Sequence, residues 1–356
     1  MKKNKLISIL LFSLVAALLS GCAMGPRAES SPGLSADATS AYVAFQQFVY
    51  KVDLANGEEI WRYPAQSDIQ VVLYAPPLVD EEHLYIGDLA NKFHQINLET
   101  GLEEWNFAEA KGWYQAKASS DGSQIVVPNS DRNVYSLNLD GSLKWKYSSE
   151  YGFLAEPIIV GDTVIISSMD HFIVALNKNT GEVIWKTELA GSLVAAPYYD
   201  AESNRLYVGS LGDEFVALDF KSGEVQWTFN ADEKLSSIWS TPILIEDNLI
   251  LADEAGKIFS LDPNSGEVLW RMETGSDMLA GPVAIDGGFL IVSQDGNLRA
   301  YDLEQNPLWT RAIDGTVYTT PVISGDTIVV AVTKGDILLQ GFDQRGNQIW
   351  SFTPEN

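Results

Sequence analysis

Cysteine is almost absent from this sequence, because Cys22 is the only one in 356 residues. A single thiol excludes an intramolecular disulfide and a metal site built from several thiolates. Histidine is also rare: His83, His94 and His171 fall in different repeats or strands, and no Gly-x-Ser-x-Gly motif accompanies them. We therefore expect these histidines to be surface or strand residues, and we predict no catalytic residue, cofactor site or metal site.

Basic residues are scarce as well. The chain has 23 Lys and Arg against 48 Asp and Glu, which gives a formal net charge of −25. A surface this acidic repels nucleic acid and anionic lipid headgroups. We therefore expect no nucleic-acid partner, and contact with a membrane only through an anchor. A basic protein surface or a metal ion would be an easier partner.

One long apolar run lies at the start of the chain, from Leu6 to Leu19, and it is short for a membrane-spanning helix. Lysines precede it, and Leu19-Ser20-Gly21-Cys22 follows. This tetrapeptide resembles the lipobox of bacterial lipoproteins, in which the cysteine is lipidated and becomes the new N-terminus. Residues 1–21 are thus predicted to be a lipoprotein signal peptide, and residues 22–31 a tether whose lipid is attached to Cys22. A secretory signal with an incidental cysteine is the alternative.

The predicted location follows from this leader. An exported, lipid-anchored protein is expected, and the absence of Asp at Ala23 favours the outer membrane by resemblance to lipoproteins of two-membrane bacteria. There the protein would face the periplasm. In a host with one membrane it would lie on the outer face of the cell membrane.

Helical periodicity is also missing after the leader, and a long repeat takes its place. Eight tryptophans recur 39–44 residues apart, at positions Trp61, Trp105, Trp145, Trp185, Trp227, Trp270, Trp309 and Trp350. This interval is typical of four-stranded propeller blades. A glycine stands four residues before seven of them, as in Gly181 before Trp185, and an Asp or Asn precedes it, which together indicate a tight turn. In the seventh repeat we expect Asn306 to take the turn position.

The repeats predict an all-β fold, an eight-bladed β-propeller of four-stranded antiparallel blades that occupies residues 32–356 as a single domain. The first strand of most blades is expected to begin at a proline, such as Pro157 or Pro197. The first blade decides the count, because residues 32–36 form a weak strand that includes Gly33. A seven-bladed ring is the alternative, and blade 1 could be ragged or closed differently from the others.

The segment Val-Ala-Leu-Asn177-x-x-Thr-Gly181-Glu-Val-Ile-Trp185 recurs with little change around Trp227 and Trp270. It resembles the pyrroloquinoline-quinone-type propeller repeat. Together with the lipobox, the acidity and the eight repeats, it is similar to the BamB family, lipoprotein subunits of the outer-membrane β-barrel assembly machinery. The resemblance implies a non-enzymatic, membrane-anchored scaffold that binds envelope proteins, among them a barrel-assembly subunit, as a monomeric propeller within a larger complex.

Two other functions stay open. The same repeat type occurs in quinone-dependent dehydrogenases, although this chain has no Cys-Cys pair and no segment with the spacing of a calcium loop. A propeller that binds a quinone or another small ligand is therefore the second hypothesis. A surface sensor or adhesion module is the third.

Residues that break the repeat are the candidates for partner binding. Trp113 and Trp239 lie outside the tryptophan period, three or four residues ahead of a first strand. The links that join the last strand of one blade to the first strand of the next should surround the mouth of the central channel. At the same offset we place Tyr74, Tyr114, Leu154, Val194, Leu279 and Tyr318.

The turns between second and third strands should open on the same face, with Gln47, Asn91, Asp131, His171, Asp213, Gly256, Asp295 and Asp336. We predict an aromatic ring with an acidic collar, formed mainly by Trp113, Tyr114, Trp239, Tyr318, Tyr74, Asp131, Asp213, Asp295 and Asp336, which suits a partner offering Arg or Lys beside apolar residues. Packing between blades and ordinary turn chemistry are the alternatives for these positions.

Overall fold

The structure is a computed structural model that describes residues 31–229 and 234–355. All regular elements in these residues are β-strands, so the all-β prediction is confirmed. No helix in this part of the chain is long and apolar enough to cross a membrane. The predicted signal peptide and the lipidation site at Cys22 lie outside the described residues.

The strands form eight blades of four, in chain order. Blade 1 contains β1 (Gly33–Ala36), β2 (Ser40–Phe45), β3 (Phe48–Asp53) and β4 (Glu59–Tyr63). Blade 2 contains β5 (Leu78–Val79), β6 (His83–Gly87), β7 (Phe93–Asn97) and β8 (Glu103–Phe107). Blade 3 contains β9 (Ser119–Ser120), β10 (Ile125–Pro128), β11 (Asn133–Leu137) and β12 (Leu143–Ser148). Blade 4 contains β13 (Ile158–Val160), β14 (Thr163–Ser167), β15 (Phe172–Asn177) and β16 (Val183–Glu188).

The second half of the ring repeats the pattern. Blade 5 contains β17 (Tyr198–Asp200), β18 (Arg205–Gly209), β19 (Phe215–Asp219) and β20 (Val225–Thr228). Blade 6 contains β21 (Ile243–Ile245), β22 (Asn248–Ala252), β23 (Lys257–Leu261) and β24 (Val268–Glu273). Blade 7 contains β25 (Val283–Ile285), β26 (Gly288–Ser293), β27 (Asn297–Tyr301) and β28 (Pro307–Ala312). Blade 8 contains β29 (Val322–Ser324), β30 (Thr327–Ala331), β31 (Leu339–Asp343) and β32 (Gln348–Phe352).

Each blade is an antiparallel meander in which consecutive strands pair, so the prediction of eight blades is confirmed and the seven-bladed alternative is wrong. First strands of neighbouring blades contact each other, as β1 does with both β5 and β29. The first strand therefore lies nearest the axis and the fourth strand at the outer edge. Most first strands begin directly after a proline, as expected: β13 follows Pro157 and β17 follows Pro197.

Blade 1 is regular rather than ragged. Strand β1 pairs with β2 over four residues, from Gly33 opposite Ala44 to Ala36 opposite Ala41. Its glycine is explained by a close approach, because a Cβ on Gly33 would lie 2.4 Å from the Ala75 carbonyl carbon. The weak strand propensity of this segment therefore reflects the tight packing of β1 against the link that enters blade 2.

The core is divided among the interfaces between blades. Eight clusters of buried apolar residues occur in the described residues, one between each pair of neighbouring blades. The cluster between blades 8 and 1 includes Val43 and Val52 of blade 1 with Val329 and Leu339 of blade 8. A blade alone would expose both apolar faces, so the closed ring is what buries them.

The period tryptophans join each blade to the next. In seven blades the indole Nε1 donates to a backbone carbonyl in the third-to-fourth-strand turn of the following blade: Trp61 to Leu98, Trp105 to Leu139, Trp145 to Lys178, Trp185 to Phe220, Trp227 to Pro263, Trp309 to Gln344 and Trp350 to Leu54. The repeat glycine of that turn lies against the same indole. A Cβ on Gly181, for example, would lie 2.8 Å from the Trp145 ring, and Gly181 also has a positive φ of 73°. The glycine is required both for its backbone conformation and for this contact.

Blade 7 departs from the repeat, and the residue predicted to take its turn position is wrong by one place in the sequence. The residue that adopts the positive φ is Gln305 (69°), not Asn306. Trp270 of blade 6, which faces this turn, has no hydrogen-bond partner for its Nε1 in the described structure. The blade with a side chain in place of the glycine is thus the one that receives no tryptophan hydrogen bond.

A β-bulge precedes the period tryptophan in all eight blades. In blade 4, Trp185 pairs with Ala175 and Val183 pairs with Leu176, so Ile184 has no residue opposite it. A bulged residue is left unpaired and is turned out of the ladder. The equivalent residues are Ile60, Glu104, Lys144, Gln226, Leu269, Leu308 and Ile349. This position tolerates aliphatic, acidic and basic side chains.

Candidate protein-binding face

One face of the ring carries the links between blades and the turns between second and third strands, and we call it the link face. Backbone hydrogen bonds join these segments alternately around the ring. In blade 3, the Ser130 amide donates to the Trp113 carbonyl at 3.1 Å, and the Phe153 amide of the next link donates to Asn129 at 3.2 Å. The same pattern recurs in blades 4 and 5. The two predicted sets of residues therefore lie on one face, side by side.

Three of the predicted aromatic residues occupy equivalent places in their links. Trp239 is 40 % exposed, while its neighbours Ile238 and Ser240 are buried. Tyr74 and Tyr318 are half-buried at the same position. Because both chain neighbours of Trp239 point into the protein, its indole is directed out of the core. Since the links lead into the innermost strands, these side chains lie on the part of the link face towards the axis of the ring.

Trp113 and Tyr114 do not lie where their predicted alignment put them. Tyr114 is 1 % exposed and packs against Phe93 of blade 2, so it cannot contact a partner. The position equivalent to Trp239 is taken by exposed Gln115, because blade 3 has Ala118 where most blades have the proline that guided the alignment. Trp113 is 54 % exposed at a neighbouring position of the same link, where its amide donates to the Ser130 hydroxyl at 2.7 Å.

The acidic collar is weaker than the sequence indicates, because two of its carboxylates are engaged by neighbouring groups of the protein. Asp131 accepts hydrogen bonds from the Tyr135 hydroxyl at 2.6 Å and from the Lys111 amide at 2.8 Å. Asp295 pairs with Arg299 at 2.5 Å. Partial burial acts in the opposite direction, but the hydrogen bond from Arg299 holds the pKa of Asp295 well below its usual range. Both side chains therefore order their turns.

The other two predicted aspartates differ, because Asp213 has a basic partner and Asp336 is exposed. Asp213 is half-buried and lies 2.7 Å from the amine of exposed Lys234. Asp336 is exposed, and its backbone carbonyl accepts a hydrogen bond from the Thr353 hydroxyl. The link face thus presents scattered acidic groups beside its aromatic residues.

The sequence analysis missed a set of buried polar residues at the ends of the second strands of blades 2 to 7. They are Asp88, Asn129, Ser168, Ser210, Asp253 and Ser293, all fully buried. Asp253 shows their role: one carboxylate oxygen accepts from the Lys257 amide of its turn, and the other accepts from the Ser236 amide of the link. A polar residue directly after an apolar strand was the available signal. These residues hold the links in place under the exposed side chains.

A buried histidine network also went unpredicted, although His94 lies on a strand as expected. His94 is 3 % exposed, with Nε2 3.3 Å from Asp88 and Nδ1 3.1 Å from Glu103. Tyr63 of blade 1 donates to the same Glu103 carboxylate. Burial disfavours the charged imidazole, but the hydrogen bonds with Asp88 and Glu103 outweigh it and raise the pKa of His94. The hydrogen bond from His94 in turn lowers the pKa of Glu103 to about 2.

This network connects blades 1 and 2 under the link face. An imidazolium donates from both nitrogens, so the protonated form satisfies both carboxylates at once. Its polar groups are engaged with one another, and His94 and Asp88 are buried, which indicates a structural role. Within residues 31–229 and 234–355, no cluster of three or more His, Cys, Asp or Glu side chains is placed to hold a metal ion.

Comparison with known proteins identifies the family. A family model described as outer membrane protein assembly factor BamB matches residues 17–152, 130–278 and 255–356. The chain belongs to the BamB family. BamB of Bordetella pertussis is 24% identical over 275 residues, which cover 73% of this chain and 70% of that one. BamB of Moranella endobia is 24% identical over 331 residues, which cover 84% and 82%.

Solved structures match the same ring. The crystal structure of BamB from Moraxella catarrhalis superposes with a TM-score of 0.74 at 17% identity and covers 86% of this chain and 95% of its own. The computationally designed Ika8 protein gives a TM-score of 0.76 at 11% identity, with 89% and 98% covered. Because a designed protein matches as well as a BamB, these likenesses describe the fold alone, and the family rests on the sequence match.

Proposed function

We propose that this protein is a non-enzymatic scaffold of the cell envelope with a BamB-like role in the assembly and insertion of outer-membrane β-barrel proteins. The observation that carries the proposal is the family match, which extends over the whole ring. In this proposal the chain is anchored by a lipid on Cys22 to the outer membrane and faces the periplasm. Its partners are other envelope proteins, including a barrel-assembly subunit.

We place the docking surface for this role on the link face. Trp113 and Trp239 are the largest exposed aromatic side chains there, and aromatic side chains anchor protein interfaces more often than most others. Both stand on links held by backbone hydrogen bonds, so little ordering is needed when a partner binds. Asp336 adds an exposed negative charge on the same face, which favours a partner segment with Arg or Lys.

Complementation in a host strain that lacks the gene tests this proposal. Loss of the protein is expected to lower the amounts of folded outer-membrane β-barrel proteins, and the wild-type chain should restore them. A chain with Trp113→Ala and Trp239→Ala should restore them poorly while accumulating to the wild-type level. Ile184→Ala, which removes an equally exposed apolar side chain from the outer edge of blade 4, is the control and should complement fully.

Two results would contradict the proposal. Normal barrel-protein levels in the deletion strain would remove the assembly role, and full complementation by the double variant would remove the link face as the docking surface. Saturable binding of pyrroloquinoline quinone and calcium, together with dye-linked alcohol oxidation, would instead support the dehydrogenase hypothesis.

A further inference from the structure

A cleft of about 530 Å³ opens between blades 2 and 3, away from the link face. It is formed by the turn between β5 and β6, the outermost strand β8, and the turn between β11 and β12. In an antiparallel meander, first-to-second and third-to-fourth turns lie at the end opposite the links. The cleft is therefore separate from the surface proposed above.

The floor of the cleft is apolar and preformed. It contains Trp105, Tyr85 and Leu139, and Leu139 is 42 % exposed. The Trp105 indole donates to the Leu139 carbonyl at 3.1 Å, and a Cβ on Gly141 would lie 2.8 Å from the same ring. The indole is thus held in one orientation. An apolar floor of this kind can receive one or two side chains of a partner.

The rim of the cleft is acidic. Five carboxylates line it, from Asp80, Glu81, Glu82, Glu104 and Asp140. The basic residue in the lining is His83, which lies 3.4 Å from Asp80 and 3.3 Å from Glu104, and the lining contains no Lys or Arg. Glu81, Glu82 and Glu104 also line an adjoining cleft of about 560 Å³, together with Glu99 and one lysine, Lys51. The negative charge therefore extends along both sides of the turn between β5 and β6.

Neighbouring blades lack this combination. At the bulge position of Glu104, blade 3 has Lys144 and blade 4 has Ile184. At the first turn of blade 3, Asp121 is paired with Lys178 at 2.9 Å. An apolar floor under an acidic rim without lysine or arginine thus distinguishes this interface from the next two around the ring.

We propose that this cleft binds a segment of another protein in which arginine stands beside an aliphatic residue. A planar guanidinium can stack on the Trp105 indole while its N–H groups reach the carboxylates of Glu104 and Asp140. The adjacent aliphatic side chain packs on Leu139. The carboxylates surround the floor instead of converging on one point, which suits an extended cationic segment better than a metal ion.

A short peptide tests the proposal directly. The probe is an acetylated, amidated hexapeptide Gly-Arg-Leu-Arg-Leu-Gly, titrated into the full-length chain in neutral detergent by isothermal titration calorimetry. We expect saturable binding that is lost when citrulline replaces both arginines, because citrulline keeps the shape and removes the charge. Glu104→Lys should weaken binding about tenfold or more. Lysine occupies this bulge position in blade 3, so the variant is expected to fold.

Matched variants separate the cleft from general charge attraction. Gln226→Lys raises the charge by one unit at the bulge position of blade 5, as Glu104→Gln does in the cleft. Glu104→Gln should weaken binding, whereas Gln226→Lys should leave the affinity within about twofold, since it lies far from the cleft. Leu139→Ser, at an exposed position, should weaken binding without changing the charge. The proposal would be overturned by equal effects of Glu104→Lys and Gln226→Lys, by equal binding of the citrulline peptide, or by no saturation up to about 1 mM peptide.

The proposal is independent of the link face. Trp239→Ala should leave peptide affinity unchanged, and failure of the peptide test would not alter the complementation result. A loss of peptide binding in Trp239→Ala would place the peptide on the link face and contradict the cleft assignment.

Discussion

Trp350 and Leu54 are far apart in the sequence, yet the Trp350 Nε1 donates a hydrogen bond of 2.6 Å to the Leu54 carbonyl oxygen. The same bond is made at most other blade interfaces, so the ring closes between blades 8 and 1 by the contact that it repeats elsewhere. Both blades consist of four consecutive strands. Closure therefore depends on side-chain packing and on contacts such as this one, not on a strand shared between the chain ends.

Replacing the closing tryptophan should measure this contact. Trp350→Phe keeps an aromatic side chain at this position but removes the indole N–H, so the Leu54 carbonyl loses its hydrogen-bond donor. We expect a loss of about 1–2 kcal/mol in unfolding free energy by urea denaturation. Trp270→Phe is the control, because the Trp270 Nε1 has no partner to lose. Equal losses of unfolding free energy for the two variants would mean that the hydrogen bond contributes nothing beyond the packing of the indole.

Two glycines separate backbone strain from close packing. Gly161 and Gly181 both have positive φ, 57° and 73°. A Cβ on Gly161 would meet nothing within 4 Å, whereas one on Gly181 would lie 2.8 Å from Trp145. Gly161→Ala should lower the free energy of unfolding by about 1 kcal/mol, because only the backbone conformation is strained. Gly181→Ala should lower it by a further 1–3 kcal/mol, roughly, because its Cβ also overpacks against the indole. Thermal unfolding of both variants checks this, and similar melting temperatures would show that the indole moves aside freely.

The sequence predicted the ring because its signals are repeated eight times. Trp, Gly and Asp or Asn recur together, and each has a local cause: Asp219, for instance, accepts from the Lys221 and Ser222 amides of its turn. The alignment of the links depended on a single residue, the proline that precedes most first strands. Where Ala118 replaces that proline, Tyr114 was placed on the surface although it is buried.

Side-chain partners explain the rest of the difference. Asp131 and Asp336 occupy the same position of the repeat. The Tyr135 hydroxyl donates to Asp131, whereas Asp336 is exposed. The network around His94 joins residues from two blades, Tyr63 among them. Such contacts depend on how blades face each other, which a repeat pattern within one chain segment does not specify.

The irregular turn of blade 7 offers a stabilising substitution. Gln305 adopts a φ of 69°, which is strained for a residue with a Cβ. Gln305→Gly should relieve that strain and stabilise the protein by about 0.5–1 kcal/mol, after the entropy that glycine gains in the unfolded chain. Asn306→Gly is the control and should be neutral or destabilising, because Asn306 is not in this conformation. Urea unfolding of both variants decides whether the turn position is Gln305, and stabilisation by Asn306→Gly alone would assign it to Asn306.

The buried His94 network should make stability depend on pH. The pKa of His94 is raised in the folded state, so its contribution is complete below its ordinary value near 6.5 and is lost as the pH rises through the folded value. The pKa of Glu103 is lowered, so its contribution is present above 4.5 and is lost as the pH falls towards 2. The two conditions overlap between pH 4.5 and 6.5.

His94→Gln should therefore cost most in that window, on the order of 3 kcal/mol, because it leaves Asp88 and Glu103 without their buried cation. The difference in unfolding free energy between wild type and variant should shrink as the pH rises through the folded pKa of His94, where the imidazole loses its proton, and as the pH falls towards 2, where Glu103 takes one up. His171→Asn is the control, because it changes an exposed histidine with a positive φ, which Asn tolerates, and it should change the unfolding free energy little. A difference for His94→Gln that instead grows as the pH rises from 4.5 to 6.5 would mean that His94 is neutral in the folded protein, because only the unfolded chain would then bind its proton, and that the network is held together by hydrogen bonds without charge.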